Sequence, residues 1–273
     1  MECWRNPTPM PRCAAIVFLL LSLSGSAATR LHVTVIDEKT LEPDLKASDC
    51  ELLDDKTRRP IAEVKYGSEG LLDVMLLVDA SLLGEAVKPV AGAFIEQLGE
   101  REQMAIVSFD SSANLLQDFT ADREALLRAL SSIRYGNAPR VLDAMFATLE
   151  GGFSQSAFRR VMVVVTAGVE GGSRVRERDI VQLALKAGVS VYPVFVSGDG
   201  KWLFRDIVEQ TGGAFFRLQE LAKRSKENPA ARIFDVIRNR YTLTLQGNPM
   251  LSEKLKLKIN RPGKYLVGMA LQQ

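Results

Sequence analysis

The sequence predicts an α/β protein: a doubly wound, mainly parallel sheet inserted in a small β-sandwich formed by the N- and C-terminal strands. Three observations predict it. Val74-Met75-Leu76-Leu77-Val78 and Val161–Thr166 are unbroken apolar runs of strand length, the pattern of strands buried on both faces. Around them, strand and helix patterns alternate, which implies parallel strands joined by crossover helices. Toward both ends the apolar period drops to two and turn residues punctuate short segments.

The elements follow in order. Leu31, Val33 and Val35 alternate with His32, Thr34 and Ile36, which predicts a half-buried strand. Asp49–Leu53 and Ile61–Tyr66 are two more strands, joined through Asp54-Asp55-Lys56, and Gly67-Ser68-Glu69-Gly70 closes this segment. After the strand ending at Val78, Pro89–Leu98 is a helix with Ala91, Phe94, Ile95 and Leu98 on one face. Met104–Phe109 is a strand and Ala113–Gln117 a short edge strand. Thr120 is the expected cap of a helix presenting Leu126, Leu127, Leu130 and Ile133. Arg140–Leu149 and Glu177–Ala187 are helices on either side of the Val161–Thr166 strand. Val189–Val196, Trp202–Gln210 and Ala214–Phe216 read as strand, helix and strand, and a helix over Gln219–Arg238 breaks near Pro229. Tyr241, Leu243 and Leu245, then Leu255, Leu257 and Ile259, then Tyr265, Val267 and Met269 predict three closing strands. Three strands at each end, too few to bury a face alone, are expected to form one sandwich.

The first 28 residues are of a different kind. Arg5 and Arg12 precede the apolar core Ala14–Leu23, and Ser24-Gly25-Ser26-Ala27-Ala28 follows: the pattern of a secretory signal peptide, with cleavage expected after Ala28 and Ala27 as the alternative. The run is short for a membrane span. The expected division is 1–28 leader, 29–70 and 239–273 the two β segments, and 71–238 the α/β unit, with the mature chain secreted or periplasmic. Without Glu2, Arg5 and Arg12 it carries 33 basic and 32 acidic side chains, and Cys50 alone of three cysteines, so no internal disulfide can form.

The 273 residues carry a net charge of +2, with no basic stripe of the kind nucleic-acid binders present. The cluster Lys223-Arg224-Ser225-Lys226 reads as a solvated helix end. No G-x-G-x-x-G, P-loop or paired-cysteine metal pattern occurs. His32 is the only histidine and lies far in sequence from Asp79 and Ser81; Ser81 lacks a G-x-S-x-G elbow, so a hydrolase reading ranks last.

Asp79-Ala80-Ser81 ends the central strand, where open parallel sheets gather their ligand loops. With this tripeptide, residues 71–238 resemble a von Willebrand factor type A domain. The whole mature chain is similar to secreted VWFA-related proteins of acidobacteria, on VTVIDEKTLEPDLKASDCELLDD, Val107-Ser108-Phe109, Leu116–Thr120, Leu142-Asp143-Ala144, Gly212-Gly213 and the Arg238–Leu243 pattern. The resemblance implies a metal-ion-dependent adhesion site, Asp-x-Ser-x-Ser with a distant Thr and Asp, that holds Mg²⁺ through oxygens. Asp79 and Ser81 match its first two positions. The remaining three fall at Leu83, Pro139 and Ala167, which offer no side-chain oxygen. The expectation is therefore a vestigial site without a metal cofactor in an exported, non-catalytic module for an unknown protein partner. Its binding rim would be formed by residues 80–85, 110–114, 135–140 and 167–175, with Leu82, Leu83, Asp110, Asn137 and Glu170. Leu82 and Leu83 would serve either as an exposed apolar contact or as packing beneath their loop. The alternative is a Mg²⁺-dependent adhesion or sensing domain in which Glu170, Asp110 or Asn137 substitutes for the lost ligands. Asp79 and Ser81 also have a plain structural reading, as caps of the loop that follows.

Overall fold

The computed structural model describes residues 28–37, 41, 43–68, 70–81, 84–154, 156, 158–198, 200–224, 226–247, 249–252 and 254–271. The expected leader, apart from Ala28, lies outside the described residues, as do Leu82 and Leu83.

The chain opens with β1 (Arg30–Asp37), β2 (Cys50–Asp54), β3 (Thr57–Arg59) and β4 (Ile61–Ser68). It continues through β5 (Leu72–Asp79), α1 (Lys88–Ile95), β6 (Glu102–Phe109), β7 (Ala113–Thr120), α2 (Arg123–Ser131) and α3 (Val141–Gly151). Then come β8 (Arg159–Thr166), α4 (Glu177–Ala187), β9 (Val189–Phe195), α5 (Lys201–Thr211), β10 (Phe216–Arg217), α6 (Leu218–Arg224) and α7 (Pro229–Arg238). It closes with β11 (Asn239–Leu245), β12 (Leu255–Ile259) and β13 (Tyr265–Leu271).

The central sheet runs β10-β9-β8-β5-β6-β7, parallel except for β7, which pairs antiparallel with β6. Every residue of β5 is buried, because helices cover both faces. Val74, Leu76 and Val78 meet α1, α2 and α7 through Phe94, Leu126 and Phe234. Met75 and Leu77 meet α3, α4 and α5 through Met145, Ile180 and Phe204. The unbroken apolar run of β5 thus reflects two apolar faces of one strand.

The terminal strands form a sandwich of two antiparallel sheets, β13-β1-β11-β4 against β12-β2-β3. Leu31, Val33, Leu52, Leu243 and Leu257 fill it from both sides, with Cys50 among them. Among the described residues four strands, not three, precede the α/β unit. Thr57–Arg59 completes a hairpin with β2, and Pro60 separates it from β4, which joins the other sheet. β1 is buried on both faces rather than one. Its second face lies on the α/β unit, where the Thr34 hydroxyl donates to the Gly212 carbonyl at 2.7 Å and meets the Tyr192 hydroxyl at 3.1 Å. Backbones touch at this junction: a Cβ on Gly268 would stand 2.0 Å from the Gly213 carbonyl oxygen. Gly212-Gly213 is therefore a contact between the two layers as well as a turn.

Helix limits have local causes. Asp122, not Thr120, caps α2, accepting from the Glu124 and Ala125 N–H groups. Thr120 ends β7, and its hydroxyl accepts the Asp122 N–H at 3.1 Å. The break near Pro229 divides α6 from α7, whose cap is Asn228. No helix among the described residues is long and apolar enough to cross a membrane.

Candidate functional site

Parallel strands β5, β6 and β8 all end at one edge of the sheet, and their following loops form a rim there. Backbone hydrogen bonds stitch these loops together. Gly136 N–H donates to the Ala80 carbonyl at 2.9 Å, beside a Ser81–Gly136 bridge. Arg140 N–H donates to the Asp110 carbonyl at 2.8 Å, and Gly171 N–H to the Pro139 carbonyl at 2.6 Å.

At the centre of the edge, Asp79 is wholly buried, 0% exposed. One carboxylate oxygen accepts the Ser81 N–H at 2.9 Å. The other accepts the Thr166 hydroxyl at 2.9 Å and the Ala167 N–H at 3.1 Å. Thr166 and Ala167 are delivered by β8, whose register with β5 pairs Val78 with Val165 one step earlier. The Thr166 hydroxyl in turn accepts the Gly168 N–H at 3.1 Å, which shapes the next loop. Ser81 is buried beside Asp79.

Asp110 and Asn137 are brought together: the Asn137 amide donates to the Asp110 carboxylate at 3.0 Å. Burial acts to raise the Asp110 carboxyl pKa, but hydrogen bonds from Ser112, Asn137 and Ser111 outweigh it and hold the group below the usual aspartate value. Glu170 sits apart from this pair. One of its oxygens accepts the Ser173 N–H at 2.6 Å, and the other is buried without a hydrogen-bond partner among the described residues. Val169 next to it is 44% exposed and gives the rim an apolar point.

Two side chains that matter here were not singled out by the sequence pattern. Thr166 closes the VMVVVT run, and a hydroxyl at the tip of a strand neighbouring Asp79 was the signal for it. Ser173 lies in a loop but caps α3 from outside. Arg140, at the N-cap, makes no side-chain cap, and the Ser173 hydroxyl accepts from Leu142 and Asp143 N–H at 3.2 and 3.3 Å. Asp143 answers by accepting the Arg174 and Val175 N–H groups at 2.8 and 3.0 Å. Nothing in local sequence announces this reciprocal latch.

These donors can be compared with what a divalent ion needs. Mg²⁺ wants near-octahedral oxygens at about 2.1 Å. Among the described residues no group of three or more His, Cys, Asp or Glu gathers in a way that could hold a metal. Pro139 and Ala167 contribute only backbone, and the Asp79 carboxylate is occupied by three donors. The described residues do not fit a Mg²⁺ shell. Ser81 and His32 do not meet either, because His32 lies in β1 within the sandwich, beside Thr242.

An open, mainly parallel α/β sheet whose rim loops surround a strand ending in Asp-x-Ser defines the class: a doubly wound α/β module. The chain belongs to the von Willebrand factor type A domain family, whose profile matches residues 73–227. No curated protein sequence matches the chain. Among solved structures, proximal thread matrix protein 1 from the mussel byssus, with a zinc-occupied MIDAS motif, is similar at 14% identity and a TM-score of 0.52. The match covers 68% of this chain and 50% of that protein, so the chain spans about half the length of that relative. The PilB minor pilin of Streptococcus sanguinis, as a D319A mutant, matches at 11% identity and a TM-score of 0.46, over 62% of this chain and 61% of that one. BatB of Bacteroides thetaiotaomicron matches at 15% identity and 0.43, over 58% and 100%. At these identities the likeness is one of fold.

Proposed function

We propose that this chain is an exported, non-catalytic protein-interaction module in which the metal-ion-dependent adhesion site has degenerated. The observation that carries the reading is the state of Asp79: its carboxylate is buried and engaged by Ser81, Thr166 and Ala167. The residue that would anchor an ion instead ties the loop after β5 to the tip of β8. A partner then meets the stitched rim through shape and neutral polar groups, with Asn137 and Val169 exposed, and with the sequence-adjacent Leu82 and Leu83, outside the described residues, as further candidate contacts.

The same proposal divides the chain into a leader over 1–28, an α/β unit over 71–238, and sandwich segments over 29–70 and 239–273. It places the mature protein in the periplasm or medium and groups it with the acidobacterial VWFA-related proteins it resembles. The signal-peptide pattern of residues 1–28 supports the address.

One observation favours a second reading, a metal-dependent adhesion domain with substitute ligands. The second carboxylate oxygen of Glu170 is buried and unpartnered at the rim, a position from which a rearranged loop could offer it to an ion. The zinc-occupied site named for the mussel protein makes zinc worth including beside Mg²⁺.

Partner capture with the mature protein separates the readings. The first predicts a bound partner that survives chelator and is lost with Leu83→Asp or Asn137→Asp. Release by chelator, with equal loss in Glu170→Gln, would favour the second. Retention of the same partner by both rim variants contradicts the rim as the surface.

A further inference from the structure

A cavity of about 460 Å³ opens at the end of the sheet opposite the rim, between the α/β unit and the sandwich. Arg159, Arg160 and Lys186 reach it from the α/β unit, and His32 and Arg240 from the sandwich. Among the described residues no carboxylate lines it.

The two β8 arginines are met by neutral oxygens. Arg160 donates to the Ser156 hydroxyl at 3.2 Å and to the Ala187 and Ser156 carbonyls at 2.9 and 2.8 Å. It closes the C-terminus of α4 and contributes positive field more than free donors. Arg159 donates to the Arg238 carbonyl at 3.0 Å and the Tyr192 hydroxyl at 3.4 Å, and its buried Nε–H meets no acceptor among the described residues. The nearby carboxylate of Asp73 takes the Ser156 hydroxyl at 2.7 Å and the Phe158 N–H at 3.3 Å, so it answers Arg160 only through that hydroxyl. Arg159, partly buried and met only by neutral oxygens among the described residues, carries an uncompensated desolvation cost, which an oxyanion relieves.

Cations arriving from β8 and α4, Arg159 and Lys186, suit an anion whose oxygens point several ways, and guanidinium matches phosphate oxygens in pairs. The cavity is larger than a bare phosphate. Phe158 and Leu185, both partly exposed, supply an apolar wall.

We propose that this cavity binds a small phosphate monoester, its oxyanion between Arg159 and Lys186 and its organic part on Phe158 and Leu185. The inference is independent of the rim.

Isothermal titration of the mature protein at constant ionic strength tests it, with phenyl phosphate, phenyl sulfate, inorganic phosphate and benzoate as probes. The expected result is saturable one-to-one binding of phenyl phosphate, tighter than inorganic phosphate and benzoate. Arg159→Gln weakens it about tenfold or more, the size of a lost charged hydrogen bond. Lys186 is exposed on α4, so Lys186→Gln leaves the ligand-free melting temperature unchanged and still weakens binding several-fold. Absence of saturable binding, equal affinity for benzoate, or binding unaltered in both variants overturns the proposal. Tighter binding of phenyl sulfate than of phenyl phosphate overturns phosphate as the source of the oxyanion.

Discussion

Asp79 sets the character of the rim at the scale of a single side chain. A carboxylate held ready for an ion is usually destabilising without it, because neighbouring oxygens repel. Asp79 instead accepts three hydrogen bonds inside the protein, so its loss leaves buried donors unanswered. Asp79→Ala is expected to lower the stability of the metal-free protein by about 3 kcal/mol in urea unfolding; an unchanged or raised midpoint would contradict this. Cys50 gives a second test. Burial, and then the charge of Asp49, push its thiol up to about 11 from an ordinary value of 9.0. The folded state keeps this proton where the unfolded chain has lost it, so the contribution is complete below pH 9 and disappears as pH climbs toward 11. At neutral pH a thiolate-directed reagent is expected to label Cys50 only after unfolding, and rapid labelling of the native protein would refute its burial in the sandwich. Asp79 and Ser81 were legible in the sequence because an apolar run ends on them. Thr166 was not, because it closes a strand run as a β-branched residue and only the register of β8 on β5 brings it to Asp79.

At the scale of elements, two ties hold opposite ends of the sheet. Near the rim, Ser173 caps α3 while Asp143 holds the loop carrying Ser173. Ser173→Ala is expected to cost about 1 kcal/mol, as for a lost cap, and to speed amide exchange at Arg174 and Val175. Exchange unchanged at both amides would show that the two sides of the latch are not coupled. At the other end, Arg238 binds Glu102 through two hydrogen bonds of 2.6 and 3.0 Å, and lies over the Phe234 ring. The hydrogen bonds that Arg238 donates to Glu102 raise its pKa further, against burial. Glu102→Ala removes the two closest acceptors and leaves the guanidinium with Asp235 and the Gln97 carbonyl, and is expected to cost about 2–3 kcal/mol, measured by denaturant midpoint; a loss under 1 kcal/mol would assign the pair a surface role. Helix limits were less legible than helix existence. Thr120 and Asp122 are both good caps, and only the length of β7 decides between them.

The whole molecule is an α/β unit held by a sandwich made from both ends of the chain. Alternating apolar residues in β1 announced a strand with one wet face, yet β1 is buried on both. Its polar residues Thr34 and His32 face internal partners rather than water, and no local pattern distinguishes those two cases. Contact between the layers runs through glycines, so Gly268→Val, with its side chain driven at Gly213, is expected to cost about 3 kcal/mol or more. Thermal unfolding of that variant should still show one transition at a lower temperature; two separated transitions would mean that the layers fold independently. The proposed module is a von Willebrand factor type A scaffold whose rim works without an ion. Calorimetric titration of the protein with Mg²⁺, Mn²⁺ and Zn²⁺ measures this directly: no saturable site is expected at micromolar concentrations, and a micromolar site that vanishes in Asp79→Ala would contradict an ion-free rim.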